Sequence, residues 1–465
     1  MWNIVLVWAG GTGMSGVAGI LHDLWYTNLV CIDANQSQLT DNLKKKGIKV
    51  IIGHGKYEVS IKDAIIYSEA TANSVEVLES RKLITKHQLM MFRMNYFQFL
   101  GEISKYFTTI GITGTNGKSS TTALAIYAAQ DLPQFGLGIL GALVPDFDNQ
   151  SYLINPDHKT EIKWISNHIF TGKPKSNIDG KMKDLVFVVE ACEYKRHFLN
   201  LDLDYAAITS MEFDHADYYK DFDDYKSAFT EMLSKLKQKA VVLAGFLERF
   251  PEFLPYADKI EEIQEESHNF EHIFGPHVNK NASLCDALLS KIDPKFTIHH
   301  PKLKAFKGLR RRLEYLGETN KWARLFSDYG HMASSIGFGF EALKTRFPDK
   351  KITVIFQPHQ ITRIFTGRDD FVPSFKWYDE IYIYDIYAAR ENLSDFDFSR
   401  RWDNIHNIVE LWNTFAKACS GTYTDQRSDI EKIIENGTEN EIIVVYSAGD
   451  IDYQIRTRIS LKQKN

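Results

Sequence analysis

Cysteine is scarce in this chain, with 4 residues among 465, and no two of them form a C-x-x-C pair. Cysteines this few and this far apart argue against a disulfide framework and against a zinc site of the usual ligand spacing. They are typical of small core residues in a protein of a reducing compartment. We therefore expect neither disulfide bonds nor structural zinc.

Long apolar runs are missing as well. The chain starts with the apolar run MWNIVLVWA, but glycines interrupt the pattern between residues 10 and 16, and no basic region precedes it. A membrane span needs a longer run, and a signal peptide needs a basic start. The start is typical of a buried strand instead, so we expect a cytoplasmic protein that does not span a membrane.

A strong excess of either charge is also absent, because 55 Lys and Arg face 60 Asp and Glu and leave a net charge of -5. Nucleic acid binding normally relies on a basic surface, so we expect no nucleic acid partner. Hydrophobic residues at 44% and charged residues at 25% are typical of a globular protein. A chain of this length exceeds one ordinary core, and we expect three domains.

Buried strands alternate with helical patterns along the whole chain, which predicts an α/β fold with mostly parallel sheets. The expected domains are a Rossmann-like domain over residues 1–98, a central domain of the P-loop ATPase type over 99–304, and a Rossmann-like C-terminal domain over 305–465. Residues 145 to 183 are polar, contain prolines and show no clear period, so we expect a long loop there.

The clearest motif is GITGTNGKSSTT at residues 111 to 122, between a predicted strand and a predicted helix. Ile112 stands where the usual phosphate-binding loop has its first glycine. The backbone N–H groups of the turn can still surround a phosphate, Lys118 can neutralise it, and the Ser119 hydroxyl can bind Mg²⁺. An ordinary strand-to-helix turn is the alternative. The residues predicted to hold the nucleotide are Gly114, Thr115, Asn116, Gly117, Lys118, Ser119 and Ser120.

Two further side chains are candidates for the same site. Glu190 ends one buried strand, and His215 follows the next in the run EFDHAD. Parallel sheets bind their ligands at the carboxyl ends of the strands, and Mg²⁺ prefers oxygen ligands. We therefore predict a metal site at Ser119, Glu190 and His215. A solvated carboxylate and a core histidine are the alternatives.

A second glycine motif, GGTGMSG at residues 10 to 16, follows the first strand, and Asp33 ends the second. Alone, this pattern favours NAD and an oxidoreductase. Beside a second nucleotide site, the same geometry could hold another diphosphate, such as UDP on a sugar.

Polar side chains also follow the strands of the third unit, namely Arg312, Asp328, His331, His359 and Arg363. A solvated basic turn and loop-capping groups are the alternatives for the first three. Pro358 and His359 directly follow a buried strand, where polar residues usually serve a ligand.

Taken together, these segments resemble the Mur ligases. The motifs occur in the family's order along nearly the whole chain, at residues 10–16, 53–54, 113–119, 190–193, 212–215, 277–282, 306–314, 328–331, 356–363, 385–387 and 448–451. The resemblance implies three domains that bind a UDP-sugar, ATP and an amino acid in this order. It also accounts for Ile112, because Mur ligases lack the usual first glycine.

The resemblance implies roles for individual residues. Lys118, Glu190, His215, His359 and Arg363 would be catalytic. The residues implied to bind the UDP-sugar are Gly11, Gly13, Met14, Ser15, Asp33, His54 and Ser68. Besides the phosphate loop, the residues implied to bind ATP are Asn281 at the adenine, Asp328 at the ribose, Arg312 near the phosphates, and His331. His331, His359 and Arg363 would also lie by the muramoyl carboxylate and the amino acid.

The implied activity is that of the alanine-adding members. These are ATP- and Mg²⁺-dependent amide ligases that join L-alanine to UDP-N-acetylmuramate through an acyl phosphate, in peptidoglycan precursor synthesis. We expect a monomer or homodimer. Met332, Ala333, Gln360 and Arg390 depart from the family pattern where the amino acid is chosen. A sibling ligase that adds another amino acid or a peptide, and a non-catalytic relative, therefore stay open as alternatives.

Overall fold

A computed structural model describes residues 2–87, 92–171, 184–296, 301–388, 391 and 407–458. It contains three mostly parallel sheets with helices between their strands, which confirms the predicted α/β fold. The chain forms two compact units, Met1–Glu271 with Asn279–Lys307, and His272–Val278 with Gly308–Asn465. The three predicted domain boundaries stay a prediction. Within the described ranges, no helix is long and apolar enough to cross a membrane.

The first sheet has five parallel strands in the order β3-β2-β1-β4-β5. Its strands are β1 Asn3–Val7, β2 Leu29–Asp33, β3 Lys49–Ile52, β4 Asp63–Tyr67 and β5 Arg93–Asn95. Its helices are α1 Thr12–Asp23, α2 Gln38–Lys45, α3 Val75–His87 and α4 Tyr96–Ser104. β2 and β4 are buried along their whole length, as expected of parallel strands covered on both faces.

The second sheet has seven strands in the order β12-β11-β10-β6-β9-β7-β8, and only the β7–β8 pair is antiparallel. Its strands are β6 Thr108–Thr113, β7 Phe135–Val144, β8 Gln150–Ile154, β9 Val186–Glu190, β10 Tyr205–Ile208, β11 Ala240–Leu243 and β12 Ile260–Ile263. Its helices are α5 Lys118–Ala129, α6 Lys159–Thr171, α7 Phe222–Lys235, α8 Phe246–Arg249, α9 Pro276–Leu289 and α10 Pro301–Lys304. β6 lies in the middle of this order, so the phosphate loop that follows it has strand ends on both sides.

The first two sheets share one hydrophobic core. Leu6 of β1, Ile139 of β7 and Phe187 of β9 belong to the same cluster of buried residues. Small residues on α1 allow this contact, since a Cβ added to Gly19 would stand 2.4 Å from the ring of Tyr152 on β8. The glycine loop before α1 and the phosphate loop before α5 are therefore parts of one packed unit.

The third sheet has six strands in the order β13-β14-β18-β15-β16-β17, and only the β13–β14 pair is antiparallel. Its strands are β13 Glu314–Glu318, β14 Arg324–Asp328, β15 Lys351–Gln357, β16 Glu380–Tyr384, β17 Thr422–Thr424 and β18 Glu441–Ser447. Its helices are α11 Ala333–Arg346, α12 Ile361–Phe375, α13 Ile408–Ala418, α14 Arg427–Asn436 and α15 Ile451–Arg458. β15 and β18 are almost completely buried at the centre of this sheet.

The prediction of a long loop at residues 145 to 183 is wrong for much of its length. Residues 150–154 form β8, which pairs with β7, and residues 159–171 form α6. Ile162, Ile165 and Ile169 bury one face of that helix. Residues 172–183 of the segment lie outside the described residues.

Candidate active site

The phosphate loop joins β6 to α5 and takes two sharp turns at glycine. Gly114 has φ 125° and Gly117 has φ 88°, a region that residues with side chains rarely adopt. A Cβ added to Gly114 would stand 2.5 Å from Oγ1 of Thr209, and one added to Gly117 would stand 2.9 Å from Oδ1 of Asn281. Both positions therefore require glycine, and the Asn281 amide lies at the phosphate loop.

Hydrogen bonds to the chain after β10 hold the loop in place. The N–H of Thr115 donates to the carbonyl oxygen of Ser210 at 3.1 Å, and the N–H of Asn116 donates to Oγ of Ser210 at 2.8 Å. The Thr115 hydroxyl donates to the carbonyl oxygen of Glu212 at 2.7 Å. The N–H groups in the first turn of α5, which include those of Ser119 and Ser120, have no partner within the helix. They form an anion site that needs little rearrangement.

Lys118 is the first residue of α5, and its ammonium group turns back over the loop. Nζ donates to the carbonyl oxygen of Thr115 at 3.0 Å and to Oε1 of Glu193 at 3.0 Å. Burial alone would lower the pKa of Lys118, but the negative charges of Glu193 and Glu190 outweigh it, and the pKa is raised. Lys118 is therefore a stable positive charge at the site of the predicted phosphates.

Ser119 and Glu190 form the next pair. The Ser119 hydroxyl donates to Oε1 of Glu190 at 2.9 Å, and the N–H of Gly141 donates to Oε2 of Glu190 at 2.6 Å. A hydroxyl and a carboxylate in contact are oxygen donors that suit Mg²⁺. In the described part of the chain, no group of three or more His, Cys, Asp or Glu side chains could hold a metal ion. Magnesium bound here would take its other ligands from phosphates and water.

His215 lies on the other side of Lys118, against a different acid. Its Nε2 is 3.6 Å from Oε1 of Glu193 and 3.9 Å from Oδ2 of Asp214. Its backbone has φ 59°, and its ring lies 4.5 Å from the ring of Tyr194. The structure therefore brings Ser119 to Glu190, as predicted, and brings His215 to Glu193.

Glu193 is the residue of this site that the sequence interpretation did not assign. Its side chain has no exposed surface, and its Oε2 has no hydrogen-bond partner among the described residues. Burial alone would raise the pKa of Glu193, but the nearby Lys118 and His215 outweigh it, and the pKa is lowered. The signal for this residue was the second acid in the run EACE at residues 190 to 193.

The glycine loop after β1 also belongs to this unit. Asp33 is buried, and its carboxylate accepts from the N–H of Gly10 at 2.7 Å and from the N–H of Asn35 at 3.0 Å. A Cβ added to Gly11 would stand 2.6 Å from the Trp8 ring, and one added to Gly13 would stand 2.9 Å from the Tyr96 ring. Asp33 thus holds the loop in shape, while bulky rings cover its glycines.

Two residues of the predicted UDP-sugar set have buried side chains. Met14 lies in the core, and the hydroxyl of Ser15 donates to the carbonyl oxygen of Thr12 at 2.9 Å. The N–H of Ser15 donates to the carbonyl oxygen of Gly11 at 2.8 Å, whereas the N–H of Met14, in the first turn of α1, has no partner within the helix. The backbone N–H of Met14, rather than either side chain, is available to a diphosphate.

His54 and Ser68 follow the neighbouring strands β3 and β4. Nδ1 of His54 lies 2.9 Å from Oε2 of Glu76, whose other oxygen accepts from the N–H of Gly55 at 2.7 Å. Glu76 is fully buried in the first turn of α3. Ser68 is half-buried and begins a short 3-10 turn. The first sheet therefore presents both residues at the same edge as its glycine loop.

The second unit has a polar cluster of its own at the ends of β14 and β15. Asp328 is buried, and its oxygens accept from the N–H of Leu313 at 2.7 Å and from the N–H of Gly330 at 2.5 Å. Burial raises the pKa of Asp328, partly offset by Arg312. The guanidinium of Arg312 lies 5.4 Å from the centre of the Tyr329 ring. Asp328 thus fixes the turn that carries the arginine.

His331, His359 and Arg363 lie together in this cluster. The two imidazole rings are 5.7 Å apart, and Nη1 of Arg363 lies 3.1 Å from Nδ1 of His359. Burial and the charge of Arg363 lower the pKa of His331 to about 3 and that of His359 to about 4. Both imidazoles are therefore neutral at physiological pH, and the arginine is the charged group that could hold a carboxylate.

Comparison with known proteins agrees with this arrangement. Residues 112–254, which contain the phosphate loop and the carboxylates, match the family model described as Mur ligase middle domain. A UDP-N-acetylmuramate--L-alanine ligase of Clostridium botulinum is 29% identical, and the match covers 97% of this chain and 95% of that protein. The central part of the chain is thus similar to the Mur ligase middle domain, and nearly its whole length is similar to a UDP-N-acetylmuramate--L-alanine ligase.

Solved structures of Mur ligases share the fold. The UDP-N-acetylmuramate-alanine ligase of Thermotoga maritima superposes with a TM-score of 0.72 at 18% identity, over 98% of both chains. A murein peptide ligase of Psychrobacter arcticus superposes with a TM-score of 0.63 at 19% identity, over 99% of this chain and 100% of that one. The three sheets described above therefore form the same fold as these two ligases.

Proposed function

We propose that this protein is an ATP-dependent amide ligase that joins L-alanine to the carboxylate of UDP-N-acetylmuramate. One observation carries the proposal: Lys118 and the Ser119–Glu190 pair lie in the same packed unit as the glycine loop after β1. A site for a triphosphate and a site for a sugar nucleotide are what this reaction requires. The product is a peptidoglycan precursor.

ATP makes the condensation favourable by converting the carboxylate into an acyl phosphate. A carboxylate oxygen attacks the γ-phosphorus of ATP, and ADP leaves. The alanine amine then attacks the carbonyl carbon, phosphate leaves, and the nitrogen loses a proton. Both steps need reactants held in line and negative charge neutralised as it moves.

The residues of the first unit meet these needs. Lys118 moves from Glu193 to the phosphates and neutralises them, and the first-turn N–H groups of α5 bind their oxygens. Ser119 and Glu190 would hold Mg²⁺, which would supply positive charge next to the phosphates. His215 stays beside the phosphates through its contact with Glu193.

The UDP-sugar binds at the first sheet in this proposal. Backbone N–H groups around Gly11, Gly13 and the first turn of α1 hold the diphosphate. His54 and Ser68 flank it at the ends of β3 and β4. Asp33 acts through the loop, since its oxygens already accept backbone hydrogen bonds.

The amino acid binds in the second unit. Arg363 pairs with the carboxylate of L-alanine, while the neutral His331 and His359 accept or donate hydrogen bonds without repelling the attacking amine. Arg312 and Asp328 form the part of this unit that serves ATP. The protein acts in the cytoplasm as a monomer or homodimer.

A sibling ligase that adds a different amino acid or a peptide is the second candidate. Gln360 supports it, because this departure from the family pattern comes directly before α12 with φ 67° and lies between His359 and Arg363. A change at this position alters the surface that contacts the acceptor amino acid or peptide.

The test is phosphate release from ATP with UDP-N-acetylmuramate and L-alanine, glycine or L-serine. We expect release only when all three substrates are present, with L-alanine the best acceptor. Release with another acceptor alone would favour the sibling ligase, and no release with any acceptor would contradict the ligase proposal.

A further inference from the structure

Tyr96 is the first residue of α4, and its ring lies against the glycine loop after β1. A Cβ added to Gly13 would stand 2.9 Å from Cζ and 3.0 Å from Oη of Tyr96. The hydroxyl end of the ring thus reaches the loop itself. Within the described residues, this hydroxyl has no hydrogen-bond partner. It is a polar group at the predicted ligand site that the protein leaves unused.

Glu190, at the end of β9, acts electrostatically on this hydroxyl. Burial, and then the negative charge of Glu190, raise the pKa of Tyr96. The phenol therefore keeps its proton at neutral pH and can donate a hydrogen bond. It lies at the loop assigned to the sugar nucleotide and within electrostatic reach of Glu190, the acid assigned to the phosphate site.

The position of Tyr96 is fixed from both sides. Oδ1 of Asn95 accepts from the N–H of Gln98 at 2.9 Å, and Oε1 of Gln98 accepts from the N–H of Asn95 at 2.9 Å, so the start of α4 is capped. The next residue, Phe97, stacks on the His197 ring at 4.0 Å with an angle of 13° between the planes. The hydroxyl is therefore held in place before a ligand arrives.

We propose that the Tyr96 hydroxyl donates a hydrogen bond to the carboxylate of the sugar acid and so determines which sugar nucleotide is bound. This inference rests on the proposed function. A carboxylate that enters near the end of β9 is repelled by Glu190 and Glu193, so a neutral donor offsets part of that repulsion. A sugar nucleotide without the carboxylate leaves the donor unpaired, which is an effective basis for specificity.

The experiment compares two sugar nucleotides. UDP-N-acetylglucosamine has the same nucleotide and amino sugar as UDP-N-acetylmuramate but lacks the carboxylate. Titration calorimetry with the full chain gives both dissociation constants for the wild type, for Tyr96→Phe and for Tyr453→Phe, an exposed control on α15. We expect Tyr96→Phe to bind UDP-N-acetylmuramate roughly 10- to 100-fold more weakly, the usual effect of losing a hydrogen bond to a charged group. Its affinity for UDP-N-acetylglucosamine should be unchanged.

Each other result has a clear meaning. An equal loss for both sugar nucleotides would show that the hydroxyl only supports Gly13, and unchanged affinity for both would show no role; either overturns the inference while the proposed function stands. A wild-type chain that binds neither sugar nucleotide overturns the proposed function and, with it, the inference. In turnover, the KM for UDP-N-acetylmuramate should rise in Tyr96→Phe while the KM for ATP stays unchanged.

Discussion

Nζ of Lys118 lies 3.0 Å from Oε1 of Glu193, a carboxylate with no exposed surface. The same oxygen lies 3.6 Å from Nε2 of His215. One buried acid therefore contacts both side chains. In the proposed function, a triphosphate draws Lys118 away from this acid, and Glu193 stabilises the ammonium charge until then.

Replacing Glu193 by glutamine tests this relationship. Glu193→Gln removes a negative charge that raises the pKa of Lys118, so that pKa should fall. The alkaline limb of the pH–rate profile should therefore move to lower pH, and kcat should drop about tenfold or more. Glu261→Gln is the control, because Glu261 lies on β12, outside the site, and also pairs with a lysine, Lys291. An unchanged alkaline limb in Glu193→Gln would contradict this role.

Removing the ammonium group itself should have a larger effect. Lys118→Ala takes away the charge that neutralises the transferring phosphate, and we expect turnover to fall on the order of 100-fold or more. Lys105→Ala, which removes a lysine paired with Glu102 at the end of α4, should leave phosphate release near wild type. Activity of Lys118→Ala close to that of the control would remove the loop from the mechanism.

The backbone of the loop gives a separate prediction. Gly114→Ala places a methyl group 2.5 Å from Oγ1 of Thr209 at φ 125°, so the loop must shift and ATP binding should weaken at least tenfold. Gly47→Ala is a matched control, because Gly47 has φ 84° but no atom within 4 Å of the added Cβ. It should cost only the backbone strain of roughly 1 to 2 kcal/mol in stability. Equal ATP affinity in the two variants would show that the crowding at Gly114 is unimportant.

The lowered pKa values of the two imidazoles in the second unit predict that the stability of the folded chain depends on pH. Their pKa values are about 3 for His331 and about 4 for His359 in the folded chain, below the value of about 6.5 for an unfolded histidine. The unfolded state therefore binds more protons, and stability is lost as pH falls from about 6.5 towards 4.

Urea unfolding at several pH values measures this effect. The double variant His331→Gln with His359→Gln should lose less of its own stability over that range than the wild type does. The comparison uses the slope with pH, so an overall loss of stability in the variant does not obscure it. Equal slopes would show that neither histidine is held neutral in the folded chain.

The strand ends were predictable from the sequence because parallel sheets place polar ligand-binding residues there. Lys118, Ser119 and Glu190 could be grouped in this way, since Glu190 ends a buried strand and the other two begin the helix that follows the loop after β6. Local pattern and strand topology together were sufficient for these features.

Features that depend on contacts between distant segments were not predictable. The Lys118–Glu193 pair joins residues 75 positions apart, and nothing local distinguishes Glu193 from a solvated acid. Asp33 and Asp328 were predicted as ligand-binding residues, and only the structure shows that backbone N–H groups already use their oxygens. β8 and α6 were missed because the polar composition of their segment hid a half-buried strand and an amphipathic helix.

The central claim is that ATP activates the carboxylate of the sugar acid. UDP-N-acetylmuramate labelled with a heavy oxygen isotope in its carboxylate tests this directly, with ATP, Mg²⁺ and L-alanine present. If an acyl phosphate forms, one labelled oxygen passes to the released phosphate, and mass spectrometry of that phosphate detects it. We predict this transfer together with formation of the amide product. Amide product with unlabelled phosphate would contradict the account.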